Sequence, residues 1–407
     1  MIVSRVEQHN VTKSNPAWKV IDEYCFKSKN LYNYANYIIR QEFINNNRWI
    51  HYNELFKLCK NGDDYKSLTS NIGQQTLRLL DKNWKSFFAA IKDWSKNPSK
   101  YLGRPKLLKY KDKEHGRTFL GIDNIKFNIT DDYIRFSVKA FRGLNHVFKT
   151  KIPDDAKLMQ CRFVPRGSSY IMEVVYQIEV SETQIESTNI CSIDLGIDNF
   201  ATITNNIGIK PIAIKGNVVK SINQYYNKQR ASMQSELILI NKKHWSEKLQ
   251  KFTDRRNNKI KMWMHKASKS VIDYCILYNI DTLVCGYNAG WKQDSNMGKK
   301  VNQKFVSIPF DMFVSQLKYK CENNGIRFIT TEESYTSGTS FLDCESPVKA
   351  NYDKSRRIHR GMFQSNNGTL INSDVNGSYQ IMKKVFPNAF ANGIEGAGLH
   401  PLSMRIA

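Results

Sequence analysis

The segment beginning at residue 188 constrains the fold more than any other part of the chain. Three β-type runs follow one another there, ICSIDLG, FATITNN and GIKPIAIKG, before helical stretches alternate with the strands TLVCGYN and IRFIT. Consecutive strands followed by alternating helix and strand predict an α/β domain. The chain has 407 residues, too many for one hydrophobic core, so we expect two or three domains in all.

The first half of the sequence predicts helices, then an extended basic segment, then strands. Residues 17–97 have apolar positions at helical spacing, with Asn71 as the expected cap of NIGQQTLRLLDKNWKSFFAAIKDW. The segment YLGRPKLLKYKDKEHGR is either a solvated linker or a nucleic-acid contact. IKFNIT, YIRFSVKAF and SYIMEVVYQIEV alternate apolar with polar residues, which predicts antiparallel strands of a small barrel or sandwich.

The net charge of +24 indicates the class of partner. So basic a surface repels itself unless a polyanion neutralises it, and release of phosphate counterions is the usual compensation. Membrane binding is the alternative, but no apolar run approaches the length of a span and the first residues do not resemble a signal peptide. Eight cysteines without a CxxC pair are typical of buried, reduced thiols, which predicts a cytoplasmic protein.

Four regions supply the cations that we expect to contact nucleic acid: the last helical stretch before residue 98, the basic segment, a helix predicted over 254–275, and the loop before residue 371. These cations are Lys82, Lys85, Arg104, Lys106, Lys109, Lys111, Arg255, Arg256, Lys259, Lys266, Arg356, Arg357 and Arg360.

Two aspartates suggest the chemistry of the α/β domain. Asp194 emerges from a strand just before a glycine, and Asp374 opens a predicted helix in INSDVNGSYQIMKK. Each alone fits an ordinary cap or turn residue. Together with a basic chain and a β-β-β-α order, they indicate a nuclease of ribonuclease H architecture, in which converging acids bind two Mg²⁺ ions.

Several motifs resemble the transposon-encoded TnpB proteins, RNA-guided nucleases related to type V CRISPR effectors. They are SIDLGIDNFATIT, INSDVNGSYQI, PNAFANGIEG, LYNYANYIIRQ, QQTLRLLDKNWKSFFAAIKDW and GRPKLLKYK. The resemblance implies a multidomain α+β protein with a wedge-type β-barrel, a helical recognition insert and a split RuvC nuclease domain. It also implies a guide RNA transcribed from the transposon end, and double-stranded target DNA with a short target-adjacent motif.

The resemblance assigns the barrel to residues 1–16 and 99–185 and the recognition insert to 17–98. RuvC would comprise 186–335 and 371–407, with a basic insert at 336–370. We expect a prokaryotic cytoplasmic location, two Mg²⁺ ions with Mn²⁺ as a substitute, and no membrane contact. A homodimer stays open.

One departure from the family concerns the second catalytic acid. The family carries a Glu where this chain has Cys285-Gly286, and neither residue is a ligand for Mg²⁺. The next strand should lie one strand spacing away, so Glu332 or Glu333, directly after it, is expected to replace the missing ligand. Neighbours in a strand point to opposite faces, so only one should serve, and we favour Glu333. Two solvent-facing turn acids are the alternative.

A second departure concerns zinc. Many relatives have a four-cysteine ribbon before the last acid, whereas only Cys344 lies between Tyr335 and Asp374 here, so no zinc is expected. The leading functional hypothesis is an Mg²⁺-dependent RNA-guided DNA endonuclease with Asp194, Glu333 (or Glu332) and Asp374 as metal ligands. The alternatives are an RNA-guided DNA-binding protein that acts by occupancy, and a guide-independent nuclease.

Overall fold

The protein was analysed as a computed structural model, which describes residues 2–180, 187–288, 290, 298–359, 361–391, 393 and 397–406. It divides into two compact units, Met1–Glu179 and Val180–Ala407. Within the described ranges, no helix combines the length and the apolar character needed to cross a membrane. All eight cysteines are free thiols and all except Cys344 are buried, which confirms the predicted burial.

The first unit contains a four-stranded antiparallel sheet and a separate hairpin. The sheet has the order β1-β6-β5-β2, and its strands are β1 (Ile2–Val11), β2 (Leu120–Asp123), β5 (Lys157–Arg166) and β6 (Ser169–Glu179). The hairpin is formed by β3 (Phe127–Thr130) and β4 (Tyr133–Phe136). The predicted strands are therefore present. These four sheet strands do not close into the expected barrel, because β2 is short and pairs only with the middle of β5.

The helices of the first unit precede most of its sheet. They are α1 (Trp18–Asn46), α2 (Tyr52–Cys59), α3 (Asp63–Lys66) and α4 (Ser70–Lys96). Leu77, Leu80 and Trp84 of α4 are fully buried, as the helical spacing predicted, and the Trp84 indole donates to Asn36 Oδ1 of α1 at 3.0 Å. The N-cap position is Thr69, not the expected Asn71, whose Oδ1 instead accepts from the backbone N–H of Asp123 at 3.1 Å.

The second unit is built on a six-stranded mixed sheet of order β11-β10-β7-β8-β9-β14. Its strands are β7 (Ile190–Leu195), β8 (Asn199–Asn205), β9 (Ile212–Lys215), β10 (Thr282–Gly286), β11 (Arg327–Thr331) and β14 (Leu402–Met404). β7, β8 and β9 form an antiparallel meander, while β10 lies parallel to β7 and β11 lies parallel to β10. The sequence predicted this succession of three strands followed by alternation.

Helices cover both faces of this sheet. They are α5 (Asn217–Asn241), α6 (Glu247–Leu277), α7 (Lys299–Val306), α8 (Phe310–Asn323) and α9 (Ser373–Val385), with a hairpin of β12 (Met362–Gln364) and β13 (Leu370–Asn372) before the last. α6 includes the predicted helix 254–275, and its apolar face packs with Ile193 of β7 in one core. Ile381 and Met382 of α9 pack on the other face, against Ile190. Because side chains alternate along β7, Ser192 and Asp194 lie on the α9 side with Ile190.

Candidate active site

Asp194 lies near the end of β7, opposite Thr202 of β8 and facing the first turns of α9. Helix α9 approaches closely because residue 377 is glycine: a Cβ atom there would lie 2.8 Å from Asp194 Oδ2. Two residues before Asp194, the Ser192 hydroxyl bonds the Ser378 carbonyl oxygen at 2.7 Å, which fixes the helix on the strand. The carboxyl group is thus held among protein atoms at a packed helix–strand junction.

Glu333 follows the strand next to the one in which the family's second acid was expected. Thr331 of β11 pairs with Gly286 of β10, the last pair of these two strands, so Glu333 lies two residues beyond the end of their pairing. Its backbone N–H donates to Asn288 Oδ1 at 3.0 Å, and its Oε1 atom is buried and has no hydrogen-bond partner among the described residues. A Cβ atom on Gly286 would lie 2.7 Å from that oxygen, so the glycine leaves the space that the Glu333 side chain fills.

Glu332 points elsewhere. Its side chain remains 55% exposed and pairs with the Lys384 ammonium group. The hydrogen bond from Lys384, followed by the one from Ser334, lowers the pKa of Glu332 to about 2. The structure therefore separates the two neighbouring glutamates, one towards a surface lysine and the other towards Gly286.

Asp374 occupies the first turn of α9. The Asn372 side chain caps the helix by accepting from the backbone N–H groups of Asp374 at 3.0 Å and Val375 at 3.1 Å. The Asn199 amide at the start of β8 donates to Asp374 Oδ2 at 2.7 Å, and Lys215 Nζ donates to Asn199 Oδ1 at 2.7 Å. The helix cap and this polar chain therefore fix the position of the Asp374 carboxylate.

The three acids act on one another electrostatically. Burial is the largest cause that raises the pKa of Asp194 well above its ordinary value, and the charges of Glu333 and Asp374 raise it further. The exposed Arg357 guanidinium opposes them. Burial, followed by the charge of Glu332, raises the pKa of Glu333 to about 7. Buried carboxyls with raised pKa values are typical of functional sites, and here they share one environment.

These side chains fit a divalent cation in donor type and charge, because all are carboxylates and the buried Glu333 Oε1 has no hydrogen-bond partner in the part of the chain that the structure describes. They do not form a finished ligand cluster. Among the residues that the structure describes, no three His, Cys, Asp or Glu side chains lie close enough together to hold a metal ion.

The predicted cations of the second unit differ in exposure. Arg255, Lys259 and Lys266 lie exposed on α6. Arg256 is half-buried and donates to Asn223 Oδ1 of α5 at 2.8 Å and to the Ser307 carbonyl at 2.8 Å, so it joins helices. Arg360 lies outside the described residues.

Arg356 has structural partners. It bonds the carboxylates of Asp343 and Glu345 and lies over the Phe363 ring at 5.0 Å, with only 14% of its side chain exposed. We therefore leave Arg356, and the half-buried Arg256, out of the nucleic-acid surface proposed below. The sequence alone predicted that both arginines contact nucleic acid, because composition does not show that a cation is paired with acids or packed between helices.

The basic segment of the first unit is held in an extended form on α1. The Leu108 carbonyl accepts from Arg40 at 2.6 Å, and the Lys113 carbonyl accepts from Lys29 at 2.6 Å. The Asn33 amide both donates to the Lys111 carbonyl and accepts from the Lys111 backbone N–H. The predicted cations Arg104, Lys106, Lys109 and Lys111 lie exposed along this segment. Lys82 and Lys85 lie exposed on α4, where Lys85 pairs with Asp81. The segment is therefore ordered, unlike a solvated linker.

Two family models match the chain. Residues 173–292 match the OrfB_IS605 model, described as a probable transposase, and residues 310–381 match the Cas12f1-like TNB domain model. Over these two ranges the chain is similar to TnpB-type proteins. The two matched ranges of this TnpB-like chain include Asp194, Gly286, Glu333 and Asp374. No curated protein matches the sequence.

Solved structures similar to this TnpB-like chain are distant. A Cas12f1–sgRNA–target DNA complex is 13% identical, with 93% of this chain and 98% of that chain covered and a TM-score of 0.38. The mini RNA-guided endonuclease CRISPR-Cas_phi3 is 10% identical, with 98% and 94% covered and a TM-score of 0.42. A CRISPR-Cas12f ternary complex is 11% identical, with 89% and 81% covered and a TM-score of 0.39. At such scores the likeness carries no argument.

Proposed function

We propose that this chain is an RNA-guided DNA endonuclease whose cutting site contains Asp194, Glu333 and Asp374. The observation that carries the proposal is that Asp194 at the end of β7 lies within electrostatic range of Glu333 after β11 and of Asp374 in the first turn of α9. Glycines at 286 and 377 make room for two of these acids. The strand order of the second unit is consistent with a RuvC-type, ribonuclease H-like domain over 186–335 and 371–407.

Two Mg²⁺ ions, or Mn²⁺ in their place, would be held by these three carboxylates and would activate water and stabilise the charge that develops on the phosphate. The remaining residues position the ligands. Asn199 orients the Asp374 carboxylate, and Asn288 fixes the backbone at Glu333. Arg357 carries a positive charge close enough to lower the pKa of Asp194, so it is suited to bind a phosphate oxygen beside the acids.

Binding of the guide RNA and the target DNA is assigned to the exposed cations. In the first unit, α1 holds the basic segment extended and its side chains project into solvent, which supports contacts with phosphates. Sequence specificity would come from base pairing with a guide RNA from the transposon end, and the protein would read only a short motif in duplex DNA. The wedge-type and recognition regions predicted over 1–185 and the basic insert 336–370 belong to this proposal. The possibility of a homodimer gains no support from the described residues and is not included.

A second candidate function is guided DNA binding without cleavage. It is favoured by the fact that no described group of three acidic, His or Cys side chains is already close enough to ligate a metal. In that case the acids would be a remnant of the family's site and the cationic surfaces would act by occupancy.

The two candidates differ in a cleavage assay on the chain purified with its co-expressed RNA. The wild type should cut a guide-matched duplex in Mg²⁺ and leave a mismatched duplex intact. Asp194→Ala should abolish cutting and retain the RNA, whereas Asp198→Ala, a neighbour that pairs with Lys220, should cut normally. Wild-type protein that binds the matched duplex without cutting it, in either Mg²⁺ or Mn²⁺, would favour the second candidate.

A further inference from the structure

An open groove of about 630 Å³ lies between α5 and α6, apart from the acids described above. Tyr225 and Ile222 line it from α5, while Phe252, Arg255 and Lys259 line it from α6. The groove is large enough for a nucleotide. Its lining combines aromatic rings with cations and contains no acidic side chain.

The aromatic wall of the groove is built in two layers. Tyr226 stacks on Phe252 with ring centroids 5.5 Å apart, its hydroxyl bonds Thr253 Oγ1 at 3.0 Å, and the Arg256 guanidinium lies 5.5 Å from its ring centroid. Tyr225 meets the edge of Phe252 at 6.0 Å, yet 62% of its surface is exposed. The inner layer is therefore fixed, and the Tyr225 ring has a free face in the groove.

The cations of the groove lie on one side of α6. Phe252, Arg255 and Lys259 follow one another at helical spacing, so they share a face. Arg255 and Lys259 are exposed, and within the described part of the chain neither makes an ion pair or a side-chain hydrogen bond. Unneutralised cations beside an exposed ring are the combination that holds single-stranded nucleic acid, because the ring stacks on a base and the cations bind adjacent phosphates.

We infer that this groove binds an unpaired nucleotide of a single-stranded nucleic acid, with its base stacked on Tyr225 and its flanking phosphates on Arg255 and Lys259. The inference rests on the proposed nucleic-acid function but not on cleavage. Stacking does not depend on the sugar, so both an unpaired part of the guide RNA and a displaced DNA strand have the required chemistry. A small apolar ligand is disfavoured by the openness of the groove and by its cationic rim.

Photo-crosslinking tests the site directly. Short RNA and DNA oligonucleotides carrying one 5-iodouracil would be irradiated with the full chain, freed of RNA and kept in EDTA, and crosslinked peptides identified by mass spectrometry. The expected adduct is on Tyr225 or Phe252. Tyr225→Phe keeps the ring and should retain the Phe252 adduct. Tyr225→Leu keeps an apolar side chain but removes the aromatic face on which the base stacks, so the Phe252 adduct should be lost. Crosslinking by RNA alone, DNA alone or both supports the groove and identifies its strand; adducts found only elsewhere would overturn it.

Equilibrium binding of the same oligonucleotides separates the ring from the cations. Tyr225→Leu should weaken binding about tenfold with an unchanged salt slope, because one stacking contact is lost. Arg255→Gln combined with Lys259→Gln should reduce the salt slope by about 1.4, since two phosphate contacts disappear. Wild-type affinity and slope in both variants would overturn the inference. Asp198→Ala is the control and should bind like the wild type here. Because no metal is present, this binding does not depend on the cutting site, so failure of the groove and failure of the cutting site give different results.

Discussion

Glu333 fills the space that a side chain at Gly286 would need. A Cβ atom on Gly286 would lie 2.7 Å from Glu333 Oε1 and 2.9 Å from its Cγ, and 2.5 Å from Ile381 Cδ1 of α9. Residue 286 lies where the family's acid was expected, and it is paired with Thr331, two residues before Glu333. A side chain at residue 286 and the Glu333 side chain would therefore compete for the same space, and the glycine at the end of β10 leaves that space to the acid after β11.

This competition for space predicts the effect of exchanging the two positions. Gly286→Ala should lower the single-turnover cleavage rate by about tenfold or more, because contacts below 3 Å force the Glu333 side chain to move. Gly286→Glu combined with Glu333→Ala should cut faster than either single variant, since a carboxylate returns to the same space. A double variant as inactive as its parents would contradict this interpretation.

Gly377 provides a second test of the packing around the acids. Replacing an interior helical glycine with alanine normally stabilises a protein by about 1 kcal/mol. Gly377→Ala should instead give no gain in the free energy of unfolding and a large loss of cleavage, because its Cβ would lie 2.8 Å from Asp194 Oδ2. Gly143→Ala is the matched control, since nothing lies within 4 Å of its added Cβ. Full activity in Gly377→Ala would show that α9 need not approach Asp194 so closely.

The Asn199 side chain should affect metal dependence. Asn199→Ala removes the hydrogen bond that holds Asp374 Oδ2, and loss of such an orienting partner typically costs about 10- to 100-fold in metal affinity or rate. The measurement is the cleavage rate of the guide-loaded protein on its matched target as a function of Mg²⁺ concentration. Asn206→Ala is the control, because that side chain bonds the backbone of Thr188 and Ile190 at the other end of β7. Equal Mg²⁺ requirements in the two variants would argue against an orienting role.

The stability of the metal-free protein should depend on pH. Burial raises the pKa of Glu333 from its ordinary value of 4.5 to about 7, so the folded state binds this proton more tightly than the unfolded chain. The resulting cost is absent below the ordinary pKa and fully present above the raised one. In EDTA at about pH 8, Glu333→Gln should therefore be more stable than the wild type by on the order of 3 kcal/mol, and at about pH 4 the two should be alike.

Chemical unfolding at both pH values measures this difference, and Glu332→Gln is the control. Because the pKa of Glu332 is lowered to about 2 in the folded state, its charge stabilises the fold above its ordinary pKa. Replacing this exposed ion-pair partner should therefore lower stability at about pH 8 by up to about 1 kcal/mol, the opposite sign. A Glu333→Gln variant that is less stable than the wild type at high pH would contradict the burial argument.

Periodicity and local order were enough to predict five of the six strands of the second unit's sheet, all except β14. The runs at ICSIDLG and FATITNN became β7 and β8, and the helix predicted over 254–275 lies within α6. The sequence also predicted that Glu333 lies beside the end of β10, where an acid was expected, because neighbouring strands have a fixed separation. These features depend on rules that act within one element or between adjacent strands.

Features that depend on packing between distant segments could not be predicted. Asn199 and Lys215 form the polar chain to Asp374, but nothing in their own surroundings marks them as partners of a residue on α9. From the sequence, Gly286 is only a position that lacks the expected acid. Its steric relation to Glu333 becomes evident once β10 and β11 are aligned. Arg356 looked like a surface cation in a basic loop, and only the fold reveals its pairing with Asp343 and Glu345.

The most direct test of the account is a single-turnover cleavage assay that compares Glu333→Ala with Glu332→Ala, each loaded with guide RNA and mixed with target DNA and Mg²⁺. The account predicts that Glu333→Ala cuts at below about one hundredth of the wild-type rate, while Glu332→Ala, which loses only a surface pair with Lys384, stays within about twofold. Both variants should retain the RNA. Cleavage by Glu333→Ala at the wild-type rate, or loss of cleavage in Glu332→Ala alone, would contradict the account.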